Sequence, residues 1–463
     1  MNNNFIRLKN EFNDITDLVL KQIKINRFDY VRLAFLETLA SQDKIHDYIL
    51  KNMHQIKSIN HVIDKLPASN IKKLKNYDEC EYYIYNGYTI LFIQDDIYAI
   101  ETKASLYRNI SENENEPSLK GPKCAFTENY QINLGLIKRR IKSHNLKVTN
   151  INIGRLSTSS VGILSIKGIC KNEIVNNTEK ILKNIDIDLL NDVEELTKYF
   201  NQNNIFPTII ATERPDRCAN ALCHGKVVIL CDDSPTALII PAFITDFINP
   251  FTDIYNNNTN INITKIIRYL CFIISIMMPA FYIAIVNYNQ EAIPTSLIIN
   301  FQNQRQNVPF PEIIECLIML ITCEILKESD LRSPTKYGAA TSILGAIVLG
   351  SAAVSAGLLT PIMIIISAFT YITSLIFPEI EFTNAIRAYR FILLFLAVFW
   401  GLLGLFLGLI FLMTQISKIR TSNLPYTIPL SPFDNAYFKN FFLKFKNNQR
   451  SHYLSNNYTK EKE

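Results

Sequence analysis

The residue types that most often do chemistry are scattered in this sequence. The six histidines stand at 46, 54, 61, 144, 224 and 452, and no Gly-rich phosphate loop, HExxH or GxSxG pattern accompanies them. Cys218, Cys223, His224 and Cys231 offer zinc-type ligands, but the CxxC spacing is missing and Cys231 falls in an apolar strand. Buried structural thiols are the expectation there. The stretch "ATERPDR" (211–217) sets Glu213, Arg214, Asp216 and Arg217 between a strand-like "FPTIIA" and a helix. These charges could hold an anion. With no nucleophile or metal site nearby, a buried salt-bridge network joining subdomains or subunits is the expectation. The chain is therefore read as neither an enzyme nor the holder of a cofactor or metal.

Carboxylates recur where they are costly. "PFPEIIECLIMLITCEILKE" (309–328) carries Glu312, Glu315 and Glu324 in an otherwise apolar segment. Glu312 and Glu315 share a helical face near the N-terminus, where the helix dipole favours them. Ionisable groups in such a setting mark ion paths, so these three are candidate cation-attracting groups. The segment is expected to be interfacial, re-entrant or pore-side, with a plain span as the alternative. "TSILGAIVLGSAAVSAGLLTP" (341–361) has no charge and crowds small residues around Gly345, Gly350 and Gly357. Small side chains gain nothing against lipid but allow close helix contact, and Gly404 and Gly408 repeat the device as GxxxG. The expectation is tight packing, within one chain or between copies around an axis, or a narrow path lined by Leu349, Ser351, Ser355, Leu358 and Thr360.

Long apolar elements must position these groups. Tyr337 to Pro378 is uncharged, and at ~1.5 Å per helical residue it reaches roughly 63 Å, about two crossings. Gly357 and Pro361 should break it. Phe391–Ser417 is a second long run, and Tyr269–Val286, with Pro279 inside, a third. Four or five spans result. Lys418 and Arg420 favour a cytoplasmic tail, whereas Arg332, Lys336, Arg387 and Arg390 fit the five-span count.

Residues 1–260 are charged and Asn-rich, and no signal peptide pattern opens the chain. A net charge of +5 without a basic stripe does not point to nucleic acid. Residues 1–25 suggest an amphipathic helix, 28–37 a strand, and 41–56 a helix capped by Ser41. A hairpin is expected over 82–102, with turns at Asn86-Gly87 and Asp95-Asp96. The order recurs as strand 160–168, helix 171–185 and hairpin 224–241. Placing Gly87 on Gly225 aligns "GYTILFIQDDIYAI" with "GKVVILCDDSPTAL", an internal duplication. Asn129–Ser143 reads as a helix ending in Lys138-Arg139-Arg140, expected to be a solvated basic face. The fold class is an α+β cytosolic half, two related α/β subdomains (1–150 and 151–260), followed by a transmembrane helical domain (261–425) and a tail (426–463).

"IGRLSTSSVGILSIKGI", "FPTIIATERPDR", "MPAFYIAIVNYNQEAIPTSL", "VPFPEIIECLIMLITCEILKE", "VSAGLLTP" and "LPYTIPLSPF" together resemble the A subunits of GerA-type spore germination receptors, in order over about residues 27–435. The resemblance implies an oligomeric, pentameric channel-like subunit of the spore inner membrane with its N-terminal half in the cytoplasm. It also implies membrane lipid around it, a transporter-like B subunit that binds the nutrient germinant, and a lipoprotein C subunit. A non-conducting scaffold and, less well, a transporter are the rival readings.

Overall fold

Alternation builds the first sheet. In Tyr30–Leu36, Val31 and Leu33 point to one apolar cluster while Ala34 and Leu36 point to another. The computed structural model describes residues 3–12, 17–25, 30–53, 66–68, 70–94, 96–104, 121–201, 204–256, 258–306, 308–332, 350–428 and 430–431. Strands β1 (Leu18–Lys24), β2 (Tyr30–Leu36), β3 (Ile71–Leu74), β4 (Tyr88–Ile93) and β5 (Asp96–Glu101) pair antiparallel in the order β1-β2-β4-β5-β3. The continuous apolar run of β4 is buried throughout because the sheet is covered on both faces. Helices α1 (Asn3–Glu11) and α2 (Glu79–Tyr85) cover one face through Leu8, Phe12, Ile84 and Tyr85. The helical stretch from Gln42 to Met53, capped by Ser41, covers the other through Ile49 and Met53.

The second unit contains α3 (Tyr130–Arg140), β6 (Leu146–Ile153), β7 (Ser159–Ile166), α4 (Asn172–Lys183), β8 (Ile210–Thr212), α5 (Pro215–Cys223), β9 (Val227–Cys231) and β10 (Ala237–Ile240). Its antiparallel sheet runs β6-β7-β9-β10-β8, the order of the first. Gly87 and Gly225 hold equivalent places, each closing a helix in the left-handed region (φ 79° and 81°) before a central strand. A side chain at Gly87 would stand 2.7 Å from the Leu39 carbonyl oxygen.

Three local expectations change. Residues 82–87 are not a strand: Glu79–Tyr85 is helical, and Asn86-Gly87 ends that helix. Residues 1–25 are not one helix, since the chain becomes β1 at Leu18. The boundary at 150/151 falls inside β6, and α3 packs with Leu164, Val228 and Leu230 of the second sheet, so that unit starts well before 150.

Helices α6 (Ile244–Ile248), α7 (Asn258–Tyr288), α8 (Thr295–Arg305), α9 (Glu312–Arg332), α10 (Pro361–Ser374) and α11 (Ile380–Lys418) follow. Among the described residues, only Ile261–Tyr288 and Ile380–Lys418 are long and apolar enough to cross a bilayer, and α10 is a shorter apolar helix. A count of four or five spans is not reproduced on that criterion, and residues 333–349 lie outside the described residues. The outward faces of both long helices are apolar: Ile263, Ile266, Leu270, Phe395, Phe399, Leu403, Phe406 and Ile410 are exposed. That distinguishes them from the core helices of a water-soluble protein.

The last helix is two arms. At Gly401 the backbone leaves helical geometry (φ 58°, ψ −136°). Gly404 then lies against the Leu396 carbonyl and Gly408 against Leu393 and Leu396 of the incoming arm, so the chain has reversed. The GxxxG pair therefore packs within its own helix, where only hydrogen fits. The returning arm ends at a short hairpin, β11 (Arg420–Thr421) and β12 (Leu424–Pro425), whose turn residues Ser422 and Asn423 both have positive φ. The tail then meets the second α/β unit: Ile244 N donates to Tyr426 O (3.1 Å), and Thr245 Oγ1 to Ile428 O (3.3 Å). Residues 419–428 thus lie on the side of the helical domain that carries the α/β units.

Candidate functional site

The three acids of α9 have three different environments. Glu312 pairs with Arg305 of α8. Glu324 accepts from Arg387 (2.9 Å), with Arg390 at 3.9 Å. Arg390, 4% exposed, also donates from Nε to the Ser275 carbonyl in α7 (2.7 Å), which pins α7, α9 and α11 together. Lys327 donates to Thr383 Oγ1 (3.2 Å) in the same layer. Glu315, 1% exposed, meets no cation among the described residues; its Oε2 accepts from Thr360 N and Thr360 Oγ1, both at 2.8 Å. Glu315 and Glu324 are nine residues apart, roughly 14 Å along the helix. The structure does not gather the acids into one site. Groups of three or more His, Cys, Asp or Glu able to hold a metal ion do not occur among the described residues.

The break after the small-residue stretch has local causes. Residues 350–355 are helical, and Gly357 (φ 66°) ends that helix. Gly357 N donates to Val354 O and Leu358 N to Ala353 O, a Schellman closure. Thr360 then precedes α10, with Pro361 at its first position, where a missing N–H costs nothing. The expected lining residues separate here. Ser351, Ser355 and Leu358 face outward, while Thr360 is buried against Glu315. A Cβ added at Gly350 would meet the Ile364 side chain at 3.9 Å, an ordinary contact distance. Leu349 and Gly345 lie outside the described residues.

A second polar assembly sits where the α/β unit meets the helices. Arg214 and Asp216 form a buried two-point pair (Nε–Oδ1 3.2 Å, Nη2–Oδ2 2.7 Å), and Tyr255 donates to Asp216 Oδ2 (2.6 Å). Burial pushes the Asp216 carboxyl up, but Arg214 and Tyr255 outweigh it and hold the group below the ordinary carboxylate range. Arg217 reaches out of the unit to Glu379 at the start of α11 (3.1 Å). The Glu213 carbonyl accepts from Phe126 N (2.8 Å). Around this joint Phe206, Phe247, Phe272, Phe377, Phe382, Tyr389 and Tyr426 make one aromatic cluster drawn from the α/β unit, the helices and the tail.

Lys138 corrects an expectation. It is 1% exposed and ion-paired to Asp17, which also accepts from Thr38 Oγ1 (2.5 Å). Lys138 is thus no part of a solvated face but one of the bonds between the two α/β units, together with Lys142 to Asn86 and His144 to Glu81. Burial lowers the Lys138 pKa, opposed by Asp17. Arg140 donates to Cys124 Sγ and to the Leu136 carbonyl. Cys218 and Cys231 are buried on opposite faces of the second sheet, and Cys223 is exposed. Asp17, Arg305, Glu379 and the Ser275 carbonyl had no signal in spacing. Arg387 and Arg390 were visible only as charges bordering an apolar run.

The comparisons with known proteins agree in kind. A family model described as Bacillus/Clostridium GerA spore germination protein matches residues 6–453. "Spore germination protein KA" of Bacillus subtilis is 33% identical over 94% of this chain and 82% of its own length. "Spore germination protein GerQA" of Bacillus cereus is 31% identical, covering 90% and 85%. "Uncharacterized membrane protein YfkQ" of Bacillus subtilis is 29% identical, covering 93% and 86%. Among solved structures, the N-terminal domain of the A subunit of the Bacillus megaterium spore germinant receptor GerK3 is 26% identical. It covers 52% of this chain and 94% of that chain, with a TM-score of 0.39.

Proposed function

Because the chain belongs to the GerA family of spore germination proteins, we propose that it is the A-type membrane subunit of a nutrient germinant receptor and that its oligomer carries cations when the receptor is triggered. One observation carries this reading. Ser351 and Ser355 stand exposed on a small-residue face, with Leu358 exposed just beyond it, whereas the outward faces of the long helices α7 and α11 are mostly bulky and apolar. Lipid gives small polar side chains no reason to point outward, whereas copies around a shared axis do. The copies, a pentamer in this reading, would turn residues 350–358 inward. The B and C subunits would complete the receptor, and the α/β units would lie on the cytoplasmic side of the spore inner membrane. Nutrient would bind on the partner, and Arg217–Glu379 with the aromatic joint would couple the α/β unit to α11.

The test is flux from vesicles holding the full chain with its partner subunits. Ser355→Trp and Leu358→Arg should each change potassium efflux by an order of magnitude or more while the complex still assembles. A second reading, a non-conducting scaffold, draws on the pairing of Glu312 and Glu324 with arginines, which leaves them no free charge to offer an ion. Efflux unchanged in both variants, with assembly intact, would favour the scaffold.

A further inference from the structure

Glu315 carries a polar atom that the fold leaves unanswered. The side chain is buried, its Oε2 takes both donors of Thr360, and Oε1 has no hydrogen-bond partner among the described residues. A carboxylate oxygen removed from water and left unpaired is costly in a protein core and more so within a bilayer. Among the described residues, the surroundings do not supply the missing charge. Tyr282 and Met363 pack against the Cys316 side of α9, and Arg305 is already matched by Glu312.

The chemistry of the gap narrows its occupant. A divalent ion wants several carboxylates, and no such group exists among the described residues. One carboxylate balances one unit of positive charge. Beside it runs the non-helical turn 356–360, and unwound backbone within a helical membrane domain offers hard, neutral carbonyl oxygens of the kind that coordinate alkali ions. We propose that Glu315 Oε1 is the anionic ligand of a site for one dehydrated monovalent alkali cation, bounded by α7, α9 and the turn before α10. Thr360 holds Oε2 and so aims Oε1, which makes it a positioning residue. This deepens the reading of the chain as a cation-carrying subunit and rests on it, yet binding can be measured without flux.

The purified full chain in detergent is melted in potassium, sodium or rubidium chloride against choline chloride at equal ionic strength. The wild-type midpoint should rise by a few degrees with saturating alkali cation. Glu315→Gln, which keeps an acceptor for Thr360 but removes the charge, should lose that rise. Glu179→Gln, on an exposed helix, should keep it. Equilibrium dialysis with rubidium should find one ion per wild-type chain, displaced by potassium or sodium, and this arm stands even where the Gln variant does not fold. A wild-type midpoint equal in choline and alkali chlorides, or no retained rubidium, overturns the proposal and leaves Oε1 to water. A cation effect that persists in Glu315→Gln overturns it as well. Rubidium bound by a chain whose receptor passes no current supports the site and sinks only the conduction reading.

Discussion

The two α/β units share one strand order and differ in what lies against them. The first sheet has its own two clusters, one under α1 and α2 and one under the 42–53 stretch. In the second, one face has a private cluster, but the other continues without interruption through Phe206 and Phe247 into Ile276, Phe382, Tyr389, Leu412 and Tyr426. The first copy keeps its own cores and meets the second through the buried Asp17–Lys138 pair and the more exposed Glu81–His144 and Asn86–Lys142 contacts. The second is fused to the helical domain and shares its core. A duplicated fold has thus been divided between an outer lobe and a mechanical base, and the base carries "TERPDR".

The sharpest way to break this picture is at the reversal that brings the tail back to the base. A Cβ at Gly404 would collide with the Leu396 carbonyl oxygen. Gly404→Leu should cost more than about 4 kcal/mol, in the range reserved for severe core damage. The expected outcome is loss of folded full-length protein on gel filtration and rapid proteolysis of the 419–428 hairpin. Next comes the lobe–base bond. Lys138→Ala leaves a buried Asp17 unpaired and should cost about 3–5 kcal/mol. The double change Asp17→Leu with Lys138→Met should restore most of that stability. Equal losses in the single and double variants, read from urea unfolding, would mean the pair does not hold the units together.

Smaller effects test the coupling of base to helices. Glu379→Gln weakens a half-buried pair with Arg217 and should cost about 1–3 kcal/mol. It should slow germination in complemented spores more than it lowers receptor abundance. The Arg214–Asp216 pair predicts a pH response. Because the folded pKa of Asp216 is lowered, its contribution is complete above the unfolded value of about 4 and is lost as pH falls through the folded value. The urea midpoint of the second unit should therefore hold from neutral pH to about 5 and fall below 4, and Asp216→Asn should flatten that fall. At the bottom of the scale, Arg155 and Asp186 pair in the open. Arg155→Ala should leave the midpoint unchanged, because water screens exposed pairs.

Particular residues show what a linear reading can reach. The match of Gly87 with Gly225 is visible because each precedes an apolar strand, but that each closes a helix in the left-handed region is not. The strandlike look of "YYIYNG" misled, since aromatic residues favour strands while Cys80, Ile84 and Tyr85 at helical spacing packed against the first sheet. The "TERPDR" charges were legible as a network but not as a link to Glu379, which lies 162 positions away. Glu312, Glu315 and Glu324 were equally legible, and nothing in their spacing distinguished the two neutralised by arginine from the one that is not.

The amino-acid order alone determined the local punctuation: the end of a helix at Gly357, the start of another at Pro361, the apolar runs and the repeated unit. Backbone sterics and side-chain periodicity act over a few residues and need no partner. Only the tertiary structure decided that Gly401 folds the last helix back on itself and that Lys138 is buried against Asp17, 121 positions away. It alone also set Thr360 on one oxygen of Glu315 and left the other bare. Each depends on which distant groups meet once the helices have packed, and at such contacts the cost of an unpaired charge is set by its surroundings rather than by its neighbours in the chain.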